Sequence, residues 1–242
     1  MFSGMIFESV IIILTSIFLV FILSKYYKKR HELTLLLFII FFFYLLSIIF
    51  SWLSKVLVLF SGEEYIYNSS APDPGTPLSW IILRILDFRI SFIFLTVAVY
   101  LSHVFEVKVF EVAAKKGHRI TILIFGLITI IYSLFIYSRG NTLLDAIAFL
   151  LVAVYMGIIY GPFCAKSFKL RKQASDVAIK KAFFSLAIMS IFFILVLVNF
   201  FLDRLTILLG GPGFSVFYFL GWICVLVGML FAYYGYIKPK AR

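Results

Sequence analysis

Long apolar runs alternate with short polar segments along the whole chain. A membrane-spanning helix needs about 20 predominantly apolar residues to cross the hydrocarbon core of a bilayer. Seven runs meet this length, at residues 5–24, 33–60, 78–103, 120–137, 143–165, 182–202 and 214–237. The pattern therefore predicts an all-α polytopic membrane protein, built as a seven-transmembrane-helix bundle.

The composition agrees with lipid as the surrounding solvent. Of the 242 residues, 64% are hydrophobic, and the mean hydropathy is +1.12. Soluble domains contain about 45–50% apolar residues, because polar side chains must cover their surface. The spans fill nearly the whole length, so we predict a single seven-helix transmembrane domain over residues 1–242, in the cell membrane as a multi-pass protein.

The net charge of +11 has a different explanation in a membrane protein than in a soluble one. A soluble protein with this charge would suggest a nucleic-acid partner, but here the basic residues occupy short loops. They are typical of topology signals and of contacts with anionic lipid head groups, so the lipid bilayer is the expected partner and nucleic acid is not.

The basic residues are also unevenly distributed between the two sides. Of the 22 Lys and Arg residues, 17 fall on one side, against only Arg139 and Arg204 in the opposite loops. Positive loops stay in the cytoplasm. The bias predicts an N-terminus outside and a C-terminus in the cytoplasm. The outer loop would then hold Asn68-Ser69-Ser70, a glycosylation sequon that works only outside.

Charged residues inside the spans are costly and mark candidate functional sites. The third span contains Arg84, Asp87 and Arg89, and Lys55 lies at a similar outer depth in the second span. This deep group has three positive charges against one negative, so it predicts an outward-facing pocket for an anionic or strongly polar ligand. Asp145 completes this candidate ligand-binding site.

A structural explanation stays open for the same charges. Glu8, Asp145 and Asp203 lie near the outer ends of their spans and can pair with the bases, which would simply hold the bundle together. Arg89 is too deep to reach the surface easily. We therefore expect it to meet an acid on another helix, Asp145 or Asp203, or a water-filled cavity.

Two sets of glycines predict close helix packing. Gly221, Gly228 and Gly235 recur seven apart in the seventh span, and Gly157 and Gly161 form a G-x-x-x-G in the fifth. Small residues let helices approach closely in lipid. Packing within one bundle is the favoured interpretation, and a homodimer seam is the alternative. Pro162, directly after Gly161, predicts a kink.

Enzyme, metal and cofactor motifs do not emerge from the sequence. Cys164 and Cys224 lie near or within apolar runs, and His31, His103 and His118 form no H-x-x-x-H pair. A G-x-S-x-G nucleophile motif is also missing. We expect no enzymatic activity, no metal and no cofactor.

Two family resemblances follow from short motifs. Arg84-x-x-Asp87 resembles the arginine and counter-ion aspartate of microbial rhodopsins, but residues 214–237 contain no lysine to bind retinal, so a retinal pigment is excluded. The segment Tyr234-Gly235-Tyr236-Ile237-Lys238-Pro239 resembles the exit from the seventh span in seven-helix sensor modules of prokaryotic signalling proteins. That resemblance implies a sensor module that passes its signal to another protein.

The leading expectation is a non-enzymatic, receptor-like or sensor-like membrane protein, with a cytoplasmic output protein as partner. A small transporter or channel that uses the same charges is the first alternative. A structural subunit or anchor of a membrane complex is the second. Paired broken helices in two related halves would favour a transporter, and the sequence offers only the Gly161-Pro162 break.

Overall fold

Seven helices of the structure are long and apolar enough to cross a membrane. The structure is a computed structural model that describes residues 1–110 and 116–237, without the side chain of Lys29. Every regular element in these ranges is helical, which confirms the predicted all-α, seven-helix class. The elements are α1 (Phe2–Lys29), α2 (Glu32–Phe60), α3 (Pro77–Leu86), α4 (Arg89–Val109), α5 (Lys116–Phe135), α6 (Thr142–Gln173), α7 (Val177–Leu208), α8 (Val216–Ala232) and a π-helical turn (Tyr233–Ile237).

The third apolar run is broken, which the sequence did not predict. It forms two helices, α3 and α4, that meet at Asp87 and Phe88. Phe88 adopts a left-handed backbone conformation, with φ of 63°, which is rare for a bulky residue and costs free energy of order 1–3 kcal/mol. The carbonyl of Leu86 at the end of α3 accepts a hydrogen bond from Ser54 Oγ at 3.0 Å. A side chain from α2 thus replaces one helical bond that the break removes.

Several helices extend past the apolar runs that predict them. α4 continues to Val109, six residues past the apolar run, and α6 passes through Pro162 without ending. α7 extends to Leu208, so that Arg204 lies inside a helix and is buried. Its predicted position in a loop is wrong.

The core is rich in aromatic rings, and α7 packs between α6 and α8 within it. The glycine stripe of α8 faces α7. A methyl group placed on Gly221, Gly228 or Gly235 would come within 2.7 Å of Phe200, 2.5 Å of Phe193 or 2.4 Å of Leu186, respectively. These contacts leave no room for a side chain, so the stripe sets the close approach of the two helices.

Gly157 and Gly161 behave differently from that stripe. A methyl group on either would meet no atom within 4 Å. These two glycines therefore do not mark a tight helix contact within the described chain. A homodimer seam at these glycines stays a prediction.

Candidate functional site

Eight charged side chains gather at the end of the bundle that carries loop 61–76. They come from six helices, α1, α2, α3, α4, α6 and α7, and all except the half-buried Asp87 are buried. The cations are Lys55, Arg84, Arg89 and Arg204, and the acids are Glu8, Asp87, Asp145 and Asp203. We call this set the charge cluster. Its formal charges cancel, which corrects the predicted excess of positive charge.

Lys55 and Glu8 form a fully buried ion pair. Lys55 Nζ lies 2.8 Å from Glu8 Oε1, and neither side chain is exposed to solvent. The same carboxylate oxygen accepts hydrogen bonds from Tyr218 Oη at 2.6 Å and Ser51 Oγ at 3.0 Å. The pair thus ties α1, α2 and α8 together. Rings of Phe88, Phe214 and Tyr218 surround the ammonium group at 4.6, 5.7 and 5.4 Å.

Arg89 and Asp145 form the second buried pair, between α4 and α6. Arg89 Nη2 donates to Asp145 Oδ1 at 2.6 Å, and Arg89 Nε donates to the same oxygen at 3.1 Å. The Arg89 side chain is completely buried. The prediction that Arg89 meets an acid on another helix is confirmed.

Arg84 and Asp87 do not pair with each other. Arg84 stacks on the Trp80 ring at 3.8 Å and donates to the carbonyl oxygens of Leu134 and Trp80 at 2.7 and 3.0 Å. Asp87 accepts a hydrogen bond from Tyr137 Oη at 2.7 Å. Both side chains therefore anchor the short helix α3 to the segment after α5.

A cavity of about 80 Å³ lies between α2, α4, α6, α7 and α8. On this measure a single water molecule needs about 10–15 Å³, so the cavity has room for roughly five to eight waters. Its walls are mainly aromatic and aliphatic. The side chains that line it include Phe41, Phe88, Phe92, Phe149, Met156, Phe193, Val196, Leu197, Phe200, Tyr218, Trp222, Val225 and Met229.

The predicted ligand-binding residues lie outside this cavity. Arg84, Asp87, Arg89, Lys55 and Asp145 are absent from its walls. Ion pairs, backbone carbonyls and a tyrosine engage these charges in the structure. A ligand-binding role for these residues stays a prediction, and the cavity described above is mainly apolar.

The polar end of the cavity is formed by Asp203 and Arg204, near the end of α7. Asp203 Oδ1 accepts hydrogen bonds from the backbone nitrogen and the Oγ of Ser215, at 2.8 and 2.7 Å. Since Ser215 is the N-cap of α8, this carboxylate fixes the start of α8. The negative charge also lies at the favourable end of the α8 dipole.

Arg204 is a residue of the charge cluster that sequence reasoning placed in a loop. Its side chain lies over the rings of Phe88, Phe149 and Tyr67, at 5.0, 5.2 and 6.0 Å. Its Nε is buried and has no hydrogen-bond partner of ordinary geometry in the described part of the chain. The apolar run Leu205 to Leu209, interrupted only by Thr206, was the available signal that the helix continues past Arg204.

Loop 61–76 covers this end of the bundle. Asn68 Nδ2 donates to the carbonyl oxygen of Ile207 at 2.9 Å, and Tyr65 Oη lies 2.6 Å from Ser54 Oγ. Glu63 pairs with Arg139 at 2.7 Å. These bonds hold the loop across the helix ends, in contrast to the predicted outward-opening cleft. The sequon nitrogen of Asn68 is itself part of this attachment.

A second polar group lies toward the opposite, basic face. Glu106 is buried on α4, accepts from Lys166 Nζ at 2.6 Å and lies 3.6 Å from His103 Nδ1. Glu106 lies three residues after His103, the end of the predicted span, and on the same helix. No group of His, Cys, Asp and Glu that could hold a metal ion occurs in residues 1–110 and 116–237.

No protein-family model, no curated protein and no solved structure matches this chain. The resemblance to seven-helix sensor modules stays a prediction. Of its residues, Tyr234 to Ile237 belong to the π-helical turn, while Lys238 and Pro239 lie outside the described residues.

Proposed function

We propose that this protein is a non-enzymatic, receptor-like or sensor-like membrane protein that binds a small molecule with an apolar body inside its helix bundle. The observation that carries the proposal is the central cavity, which touches five helices at once. Apolar cavities of this kind stay dry or take up apolar ligands. An occupant restores the dispersion contacts that the lining atoms otherwise lack.

Helix α8 supports a signalling role for this cavity. Tyr218, Trp222, Val225 and Met229 line it, and their spacing of four, three and four residues places them on one face of the helix. α8 begins at the Asp203–Ser215 contact beside the cavity and leads to the π-helical turn at the other end of the bundle. A ligand that binds two arrangements of α8 unequally shifts their populations. The C-terminal end of α8 then carries the change to an output partner.

The orientation belongs to the same proposal. The basic residues of the described helix ends collect on the face opposite loop 61–76, and we place that face in the cytoplasm of the cell membrane, with the N-terminus outside. A reporter enzyme that works only in the cytoplasm, fused after Arg242, should be active. Activity of an exported reporter at the same position would reverse the orientation.

Occupancy of the cavity can be tested with decanol and two variants of α7. Val196 lines the cavity, whereas Val198, two residues further on, is 38% exposed on the outside of the bundle. Val196→Phe fills the cavity, and Val198→Phe adds the same volume on the surface. Decanol should raise the melting temperature of the wild type and of Val198→Phe in lipid nanodiscs, because a ligand at 100 times its Kd adds about 2.7 kcal/mol of stability. Val196→Phe should show no such rise.

An equal rise in all three proteins would contradict the proposal, since the decanol effect would then come from the lipid or the outer surface. The melting temperatures without decanol serve as the baseline for each variant.

A transporter is the second candidate, and the break between α3 and α4 favours it. Discontinuous membrane helices line the substrate sites of many transporters. Here the break at Asp87 and Phe88 lies within the charge cluster. Sustained accumulation of a polar solute in proteoliposomes would replace the sensor with the transporter.

A further inference from the structure

Arg204 differs from the other cations of the charge cluster in its partners. Lys55 and Arg89 each have a carboxylate within 2.8 Å, and Arg84 donates to two backbone carbonyls. In the described part of the chain, no carboxylate oxygen lies within 4.0 Å of Arg204, its guanidinium faces the hydroxyl of Tyr67, and its buried Nε donates to nothing. A buried N–H of a charged group without an acceptor is costly, so a ligand that accepts from it gains affinity.

The acids of the cluster are already engaged. Glu8 and Asp145 bind Lys55 and Arg89, and Asp87 accepts from Tyr137. Asp203, the neighbour of Arg204 in sequence, accepts from Ser215. Glu8 Oε2 is buried without a partner among the described residues, but Glu8 does not line the cavity. Between the two charged residues of the cavity wall, Asp203 has its hydrogen bonds and Arg204 has an unused donor.

Two further donors lie at the cavity or beside Arg204. Within the described ranges, Trp222 Nε1 is buried without a hydrogen-bond partner of ordinary geometry, close to the Tyr218 hydroxyl, and Trp222 lines the cavity. The hydroxyl of Tyr67 is also buried without a partner of ordinary geometry, and Arg204 is the cation that faces it. Burial raises the pKa of Tyr67, against the opposing effect of Arg204, so the hydroxyl keeps its proton. A carboxylate matches such donors, because its two oxygens accept bidentate bonds from a guanidinium.

The rest of the cavity fits a hydrocarbon chain. On α7 its wall runs from Phe193 to Arg204, which is about 16 Å along the helix axis. Between these residues, Val196, Leu197 and Phe200 present only apolar surface. The site thus has one polar end, where Arg204 and the hydrogen-bonded Asp203 lie together, and one mainly apolar body.

Building on the proposed function, we propose that the cavity binds a single-chain anionic amphiphile, with its acidic head group on Arg204 and its chain along α7. A free fatty acid and the acidic head group of a membrane lipid share this chemistry. The volume of about 80 Å³ has room for roughly five to eight water-sized groups, which is enough for the head group and the first methylenes of one chain; the rest of a longer chain requires the cavity walls to move apart.

Three probes of equal chain length test the head-group preference: decanoate, decanol and decylamine. Binding is measured at pH 8, where decanoate is ionised, in phosphatidylcholine nanodiscs, with empty nanodiscs subtracted for partition into lipid. The wild type should bind decanoate more tightly than decanol, and decylamine most weakly. Arg204→Gln should lower decanoate affinity about 10- to 100-fold, the loss expected for hydrogen bonds to a charged group. Decanol affinity should stay unchanged, which shows that the variant is folded.

Two variants sharpen the result. Arg139→Gln removes a cation from the same face of the bundle, away from the cavity, and should leave the decanoate preference intact. Arg204→Lys keeps the charge without the bidentate geometry and should give an intermediate preference. This variant replaces Arg204→Gln if the latter does not fold.

The outcomes separate the two proposals. Equal wild-type affinities for decanoate and decanol, both abolished by Val196→Phe, would overturn the anionic head group and leave the cavity proposal standing. Binding of none of the three probes would overturn both. Nanodiscs of the anionic lipid phosphatidylglycerol, used in place of phosphatidylcholine, show whether the natural ligand is a membrane lipid or a free fatty acid. If the lipid competes with decanoate in the wild type but not in Arg204→Gln, the head group of a membrane lipid binds the site. If decanoate affinity is unchanged in phosphatidylglycerol, a free fatty acid is the ligand.

Discussion

Replacing Glu8 with leucine is expected to lower the free energy of unfolding by about 3–5 kcal/mol, the usual cost of removing one partner from a buried ion pair. Lys55 is fully buried and would lose its carboxylate, and three aromatic rings do not replace it. Tyr218 and Ser51 would lose their acceptor as well. Chemical denaturation in detergent measures the change.

The double variant Glu8→Leu, Lys55→Met tests whether the loss of stability comes from the unpaired Lys55. Apolar residues of similar volume often replace a buried pair without loss, so the double variant should recover most of the stability. Glu63→Leu is the matched control, because Glu63 is 39% exposed in its pair with Arg139 and should contribute at most about 1 kcal/mol. A Glu8→Leu effect no larger than that of Glu63→Leu would show that the pair is not buried as described.

Asp145→Leu should have an effect of similar size, about 3–5 kcal/mol, since it leaves Arg89 charged and completely buried. Within residues 1–110 and 116–237, the acceptor left for Arg89 is the carbonyl oxygen of Ile136, at 3.5 Å from Nη1. The α4–α6 contact carries this pair, so the beginning of α4 should loosen and its amide protons should exchange faster.

A double-mutant cycle with Arg89→Leu isolates the interaction. The two single variants should each cost more than the double variant, so the coupling energy should exceed either single effect, at about 3 kcal/mol or more. Additive effects would mean that Arg89 and Asp145 act independently, and the pairing would be refuted.

The seven spans and the partner of Arg89 could be predicted because lipid imposes both. A helix must present about 20 apolar residues, and an unpaired charge inside hydrocarbon is not tolerated. Neither condition depends on which helices are neighbours. The choice between Asp145 and Asp203 does depend on this, and the sequence left it open.

The break at Asp87 and Phe88 could not be predicted, because no proline or glycine marks it. Phe88 holds its left-handed conformation through its surroundings, where its ring lies 4.6 Å from Lys55 and 5.0 Å from Arg204. These are contacts between residues far apart in the chain, and the conformational propensity of a local segment does not predict them.

The glycines also show that a sequence pattern does not predict which residues are in contact. Gly228 and Gly157 both belong to regular small-residue stripes, yet Phe193 touches one position and open space lies beside the other. A period in the sequence identifies a stripe and does not identify what faces it. The cavity is likewise set by how side chains of five helices fit together, for which no local pattern exists.

The central claim is that a hydrocarbon chain occupies the cavity, and Trp222 can report it directly. Of the three tryptophans, Trp222 lines the cavity, and Trp80 is 37% exposed on α3. One variant keeps only Trp222, through Trp52→Phe and Trp80→Phe. The matched variant keeps only Trp80, through Trp52→Phe and Trp222→Phe. Decanoate brominated along its chain quenches tryptophan fluorescence on contact. The account predicts saturable quenching of Trp222, displaced by unlabelled decanoate, and only weak, linear quenching of Trp80. Linear quenching of both tryptophans to the same extent would contradict it, because the chain would then be in the bilayer and not in the cavity.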